Sequence, residues 1–162
     1  MTGEPPLRVV ETGVRVRYAE TDRMGIVYHA HYIVWFEIGR TEFCRAAGIP
    51  YRAMEEAGLL ILVTGVECTY RRSARYDDEI RIQARMPELS GRGLSFAYEV
   101  LGPGGVRLAD GATRHVFADP EGRPRRAPDE IVAPLERFRR ETDGASTSPR
   151  PGGNRRGISD VV

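Results

Sequence analysis

Lysine is absent from this chain: all 24 basic residues are arginine. That excludes Schiff-base chemistry, a lysine base and a Walker-type phosphate loop, since each needs a lysine amine. Phosphate recognition stays open, because the guanidinium fork suits it, although a genome-wide arginine preference produces the same pattern. Net charge is also scarce. The 24 basic residues face 23 acidic ones, for a formal charge of +1, and a nucleic-acid binder would carry a large basic excess. The only cysteines, Cys44 and Cys68, lack metal-ligand neighbours at close spacing and form no disulfide framework. Residues 1–8 hold no apolar core of signal-peptide length. The longest apolar runs, such as residues 59–63, are far too short for a membrane span. A reducing, cytoplasmic location is the expectation, with no membrane insertion.

The 162 residues suit one domain. Residues 1–12 read as a loose lead-in, residues 13–141 as a single domain, and residues 142–162, rich in Gly, Ser, Pro and Arg, as a disordered tail. Val14, Val16 and Tyr18 alternate with Arg15 and Arg17, the period of a half-buried strand. A polar stretch follows, with Gly25 as a turn residue. From about His29 the period changes. Tyr32, Trp35/Phe36, Gly39, Phe43 and Ala46/Ala47 predict an amphipathic helix with an aromatic face, capped by Gly48 and stopped before Pro50. Gly39 on that face suggests close approach by another backbone. A short helix over residues 50–57 follows.

The next segments read as strands over residues 59–72, 79–86, 94–101 and 106–118, with a hairpin turn at residues 102–105 and Gly111 as a candidate bulge. A last helix is predicted to begin near Pro134, since proline suits a first helical turn. One apolar helix followed by a meander predicts an α+β fold, an antiparallel sheet wrapped around that helix. The faces and edges left over invite self-association.

Chemistry concentrates in residues 18–32, where a strand end meets the main helix. An acid there, Asp22, would face the unpaired amides of the helix's first turn, a site for negative charge. A carboxylate beside an oxyanion site is what acyl transfer to water requires. A turn or helix-capping role explains Asp22 equally well.

The run Asp22-Arg23-Met24-Gly25-Ile26-Val27-Tyr28-His29, with Tyr32 and Phe36-Glu37-x-x-Arg40-Thr41-Glu42, resembles the 4-hydroxybenzoyl-CoA thioesterase family of the hotdog fold. Within it the chain most resembles the Tol-Pal-associated acyl-CoA thioesterase branch. The similarity continues through residues 70–78 and covers roughly residues 13–138. The resemblance implies a five-stranded antiparallel sheet around a central helix, a homodimer or dimer of dimers (a homotetramer), and hydrolysis of acyl-CoA without a cofactor or metal. It places the essential carboxylate on Asp22 and the thioester-polarising amide on His29. Gly25, Tyr28 and Tyr32 would line the substrate site. Arg71 and Arg72, ahead of Arg75, are the first choice for the CoA phosphates.

Other residues carry plainer readings. His29 and His31, two apart, point to different helix faces and make a poor metal pair. Glu37 is a rival base but lies about two turns into the helix. His115 reads as structural. Ser95 sits in an alternating strand rather than a nucleophile elbow. Arg123, Arg125 and Arg126 form a second phosphate candidate, or a charged edge that discourages strand pairing. The competing function is a non-catalytic acyl-CoA or acyl-carrier binding module on the same fold. A hotdog dehydratase ranks below it.

Overall fold

A computed structural model describes residues 6–142; the tail expected over residues 142–162 lies, but for Thr142, outside the described residues. The described elements are β1 (Val10–Arg15), α1 (Ala30–Ala46), α2 (Tyr51–Glu56), β2 (Leu60–Tyr70), β3 (Glu79–Leu89), β4 (Gly93–Leu101), β5 (Arg107–Ala118) and α3 (Asp129–Arg140). The strands form one antiparallel sheet in the order β1-β3-β4-β5-β2. The α+β hotdog arrangement is thus present, with α1 laid on one sheet face and β1 and β2 at the edges.

Alternation along β3 and β4 builds the core. Ile80, Ile82, Ala84 and Met86 are fully buried, as are Phe96, Tyr98 and Val100. They meet the stripe Tyr32, Trp35, Phe36, Gly39, Arg40, Phe43 and Cys44 of α1. Phe36 stacks on Tyr98 at 4.4 Å and Phe43 meets Phe96 edge-on at 5.3 Å, geometries that aromatic quadrupoles favour. Gly39 permits close approach, but of side chains rather than backbone. A Cβ there would lie 2.8 Å from Ile82 Cγ2.

Several boundaries differ from the sequence reading. Strand β1 starts at Val10, inside the expected lead-in, because Val10 and Thr12 pair with Ala84 and Ile82. Tyr18 is not in a strand. After Val16 the chain leaves the sheet into a single 3₁₀ turn, Tyr18–Glu20. Gly111 is no bulge, since it pairs in register with Cys68 and Tyr98. Its small size is what counts: a Cβ would sit 2.3 Å from the Glu67 carbonyl oxygen and 2.5 Å from the Phe36 ring. The register shift between β2 and β5 falls elsewhere, between Val63 and Gly65, opposite His115 and Arg114.

Helix α3 begins at Asp129 rather than Pro134. Pro128 caps it, Asp129 and Glu130 oppose the dipole in the first turn, and Ile131 and Leu135 bury one face. Pro134 therefore sits inside the helix and omits the bond to the Glu130 carbonyl.

Candidate active site

The stretch between β1 and α1 folds as a small closed loop. Glu20 is buried, and its carboxylate accepts the Arg17 amide at 2.7 Å while its carbonyl accepts the Tyr28 amide at 2.9 Å. Thr21 bridges to Val27, and the Asp22 amide donates to the Ile26 carbonyl at 2.8 Å. Gly25 closes the tip with φ +74°, a left-handed conformation that favours glycine. The Val27 amide donates to the Ala74 carbonyl at 2.9 Å, which ties the loop to the β2–β3 connection.

Asp22 accordingly fills the turn role and stays available for another. Oδ1 accepts the Met24 amide at 2.8 Å. Among the described residues, Oδ2 has no hydrogen-bond partner. Asp22, Met24, Ile26, Val27, His29, Tyr32, Tyr70, Arg71, Arg72 and Ser73 line one cleft of about 300 Å³. The fold thus brings Asp22, His29, Tyr32, Arg71 and Arg72 together.

His29 is the N-cap of α1, already near helical geometry at φ −54° and ψ −31°. No side chain caps this helix end, and no acidic residue stands in its first turn. Seventeen residues of aligned peptide dipole therefore begin at an N-terminus that no protein carboxylate neutralises from within the helix. The amides of His29 and Ala30 belong to the groups that helix geometry leaves without an intrahelical acceptor.

Tyrosines hold the surroundings in place. The Tyr70 hydroxyl donates to the His29 carbonyl at 2.9 Å. Tyr32, buried, accepts the Ala74 amide at 3.1 Å and donates toward the Arg72 carbonyl at 3.5 Å. Burial raises the Tyr32 hydroxyl above its ordinary range. Burial, with Cys68 and Tyr32 alongside, pushes Tyr70 up to about 12, so both remain protonated donors at neutral pH. The Tyr32 and Tyr70 rings cross at 90° with centroids 5.2 Å apart.

Other expected residues fall elsewhere. Gly25 shapes the loop without lining the cleft. Tyr28 is 47% exposed and rests against the His29 ring at 4.5 Å, outside the lining. Arg71 reaches the cleft but is held by Asp110 through two bonds of 2.7 and 2.8 Å. That pairing keeps the Asp110 carboxyl below its usual range. Arg72 and Arg75 make no ion pair among the described residues. Arg123 pairs with Asp119 and braces its own turn, whereas Arg125 donates to the Ala57 and Gly58 carbonyls and ties that segment to the end of α2. Glu37 is exposed on α1, away from the cleft. Ser95 is buried within β4.

His115 is buried too, its Nε2 2.8 Å from Thr113 Oγ1. Burial, then the charge of Arg40, lowers its pKa to about 4. Among the described residues, no three His, Cys, Asp or Glu side chains gather as a metal site. Sequence reasoning missed Tyr70 as a site residue. Its signal was position, directly before the Arg71-Arg72 pair at the end of a strand.

A model of the thioesterase-like superfamily matches residues 16–135. The acyl-CoA thioester hydrolase YbgC of Escherichia coli is 32% identical over 121 residues, covering 74% of this chain and 90% of that protein. Among solved structures, a hypothetical protein of Thermus thermophilus superposes with a TM-score of 0.76 at 38% identity, covering 81% of this chain and 98% of the other. A DHNA-CoA thioesterase of Staphylococcus aureus gives a TM-score of 0.74 at 27% identity over 80% and 87% of the two chains. No described helix is long and apolar enough to cross a membrane. On the extent of the match and the shared hotdog architecture, the chain belongs to the thioesterase-like superfamily.

Proposed function

We propose that this protein hydrolyses acyl-CoA thioesters to the free acid and CoA, with Asp22 and the opening turn of α1 as its working parts. The observation that carries this reading is their convergence: a carboxylate with one uncommitted oxygen shares a cleft with an uncapped helix N-terminus. The thioester oxygen would accept the His29 amide, and the helix dipole would favour the negative charge that develops there. A preorganised donor of this kind is worth about 3 kcal/mol.

Asp22 then acts as base or as nucleophile. As base it takes a proton from water, the hydroxide adds to the carbonyl carbon, and the C–S bond breaks with the thiolate leaving. As nucleophile it displaces the thiolate itself, and water hydrolyses the mixed anhydride. Both routes use the Asp22 carboxylate.

Arg72, lining the cleft without an ion pair among the described residues, replaces Arg71 as the better phosphate contact. Tyr32 remains a wall of the acyl site, and Tyr28 acts from outside it, against His29. The working unit in this reading is a homodimer, or a dimer of dimers. β2 is an edge strand, and Leu62, Val63 and Val66 on it are 37%, 47% and 43% exposed. An uncovered apolar edge of this kind invites a second copy. Two free thiols, one buried and one half-buried, suit a cytoplasmic setting. Placement in the Tol-Pal-associated branch rests on the resemblance of the Asp22–His29 run.

The test is a panel of short, long and aromatic acyl-CoAs with detection of free thiol. Release from at least one class supports hydrolysis. Tight binding of acyl-CoA with no release would favour the non-catalytic binding module.

A further inference from the structure

Arg40 is a charged residue of the core. It projects from the middle of α1, is 9% exposed, and has no carboxylate within ion-pair distance among the described residues. The nearby acids of its own and the following helix are committed or turned outward. Glu42 pairs with Arg45, Glu56 of α2 pairs with Arg52, and Glu37 and Glu55 are exposed. A buried charge with no counter-charge is among the costlier features a fold can carry.

Polar side chains gather around this guanidinium. It lies against the Tyr51 and Tyr98 hydroxyls, and its charge reaches Cys44 and His115. None of them supplies the missing negative charge. Burial pushes the Cys44 thiol and the Tyr98 hydroxyl each up to about 12 and raises Tyr51 further, so all three stay protonated.

Two atoms of the same cluster are left over. The Tyr51 hydroxyl and His115 Nδ1 are buried and have no hydrogen-bond partner among the described residues, a rare condition for buried polar atoms. His115 is 4% exposed, and its other nitrogen is engaged. Nε2 lies 2.8 Å from Thr113 Oγ1, which lies 2.7 Å from the Tyr98 hydroxyl. Run from Tyr98 through Thr113 to Nε2, this chain of donors puts the imidazole proton on Nδ1. Arg40, Tyr51 and His115 then all present donors, and one of them is charged.

We infer that Arg40, the Tyr51 hydroxyl and His115 Nδ1 bind a single-atom anion, chloride, beneath α1. The packing sets the size, because Cys44 and Tyr98 beside it are fully buried and leave no room for a phosphate. Burial, the larger cause of the lowered His115 pKa, keeps that ring neutral with the anion in place. Arg40 and His29 stand on the same helix. The anion therefore fastens to β5 and α2 the helix whose first turn faces the cleft.

Two measurements test it on the full chain. The first is thermal melting at fixed ionic strength in sodium chloride and in sodium gluconate. Chloride should raise the midpoint by roughly 3–5 °C over gluconate. Arg40→Met should erase that difference, and Tyr51→Phe, which keeps the ring and its packing, should shrink it even if Arg40→Met does not fold. The second is anomalous diffraction from crystals grown in sodium bromide, which should place one bromide against the Arg40 guanidinium. Equal midpoints in the two salts overturn the inference, and a bromide peak without a chloride effect would then be binding at crystal concentration only. A chloride effect that persists unchanged in Tyr51→Phe and Arg40→Met overturns it as well. So does a carboxylate of a second copy found against Arg40 in the crystal.

Discussion

The hydroxyl of Tyr70 donates to the carbonyl of His29 across 2.9 Å, so the edge strand β2 and the first turn of α1 share a bond. The peptide that carries this carbonyl ends in the Ala30 amide, next to the His29 amide assigned to the thioester oxygen. The same carbonyl also accepts the Tyr32 amide at 3.3 Å. Tyr70 is thus a positioning residue for the helix opening. Tyr70→Phe should lower kcat roughly fivefold, the effect of one ordinary hydrogen bond, and move KM less. Steady-state kinetics beside a thermal melt would check this. Equal losses in kcat and stability would reduce Tyr70 to a structural tie.

Burial of neutral His115 predicts a pH-dependent stability. Its folded pKa, about 4, lies below the ordinary value of 6.5. Between those values the unfolded chain binds a proton that the folded chain does not. The contribution is therefore complete above pH 6.5 and is lost as pH falls toward 4, by up to about 3 kcal/mol. Arg40 adds to the effect, because a second charge in the core repels the imidazolium. Urea unfolding from pH 7.5 to 4 should show this decline, and His115→Phe should flatten it.

Gly111→Ala is expected to destabilise the fold by about 1–3 kcal/mol. The added methyl would meet the Glu67 carbonyl and the Phe36 ring, neither of which can give way without disturbing β2 or the stack on Tyr98. A lower denaturation midpoint with an unchanged slope would confirm a packing effect. Gly122→Ala, at a turn with φ +80° and open space around its Cβ, is the control for conformational strain alone.

The two cleft arginines should separate kinetically. Arg72→Gln is expected to raise KM for acyl-CoA and weaken its salt dependence, because that guanidinium has no ion pair among the described residues. Arg71→Gln should change KM less, since Asp110 already holds its fork. Initial rates at two ionic strengths would distinguish them.

These outcomes also show what was legible before the fold was known. The helical spacing of Tyr32, Trp35/Phe36, Gly39 and Phe43 located α1, and strand alternation located β3 and β4, because each pattern reports directly which side is buried. The α3 start was misplaced because proline was read by its preference for a first turn. Burial of Ile131 and Leu135 outweighed the single bond that Pro134 omits. Asp22 and His29 were singled out by the family resemblance of the short run that joins them, and the fold places both on one cleft. Partnerships between distant segments were not. The Arg71–Asp110 pair and the Tyr70–His29 bond link positions 39 and 41 residues apart, and no local periodicity encodes either.

The most direct test is the rate of thiol release by Asp22→Asn. The asparagine side-chain oxygen can still accept the Met24 amide, so the turn should hold while the negative charge is lost. A fall in kcat of roughly a thousandfold, with an unchanged melt, is the predicted result. Turnover at the wild-type rate would contradict the account.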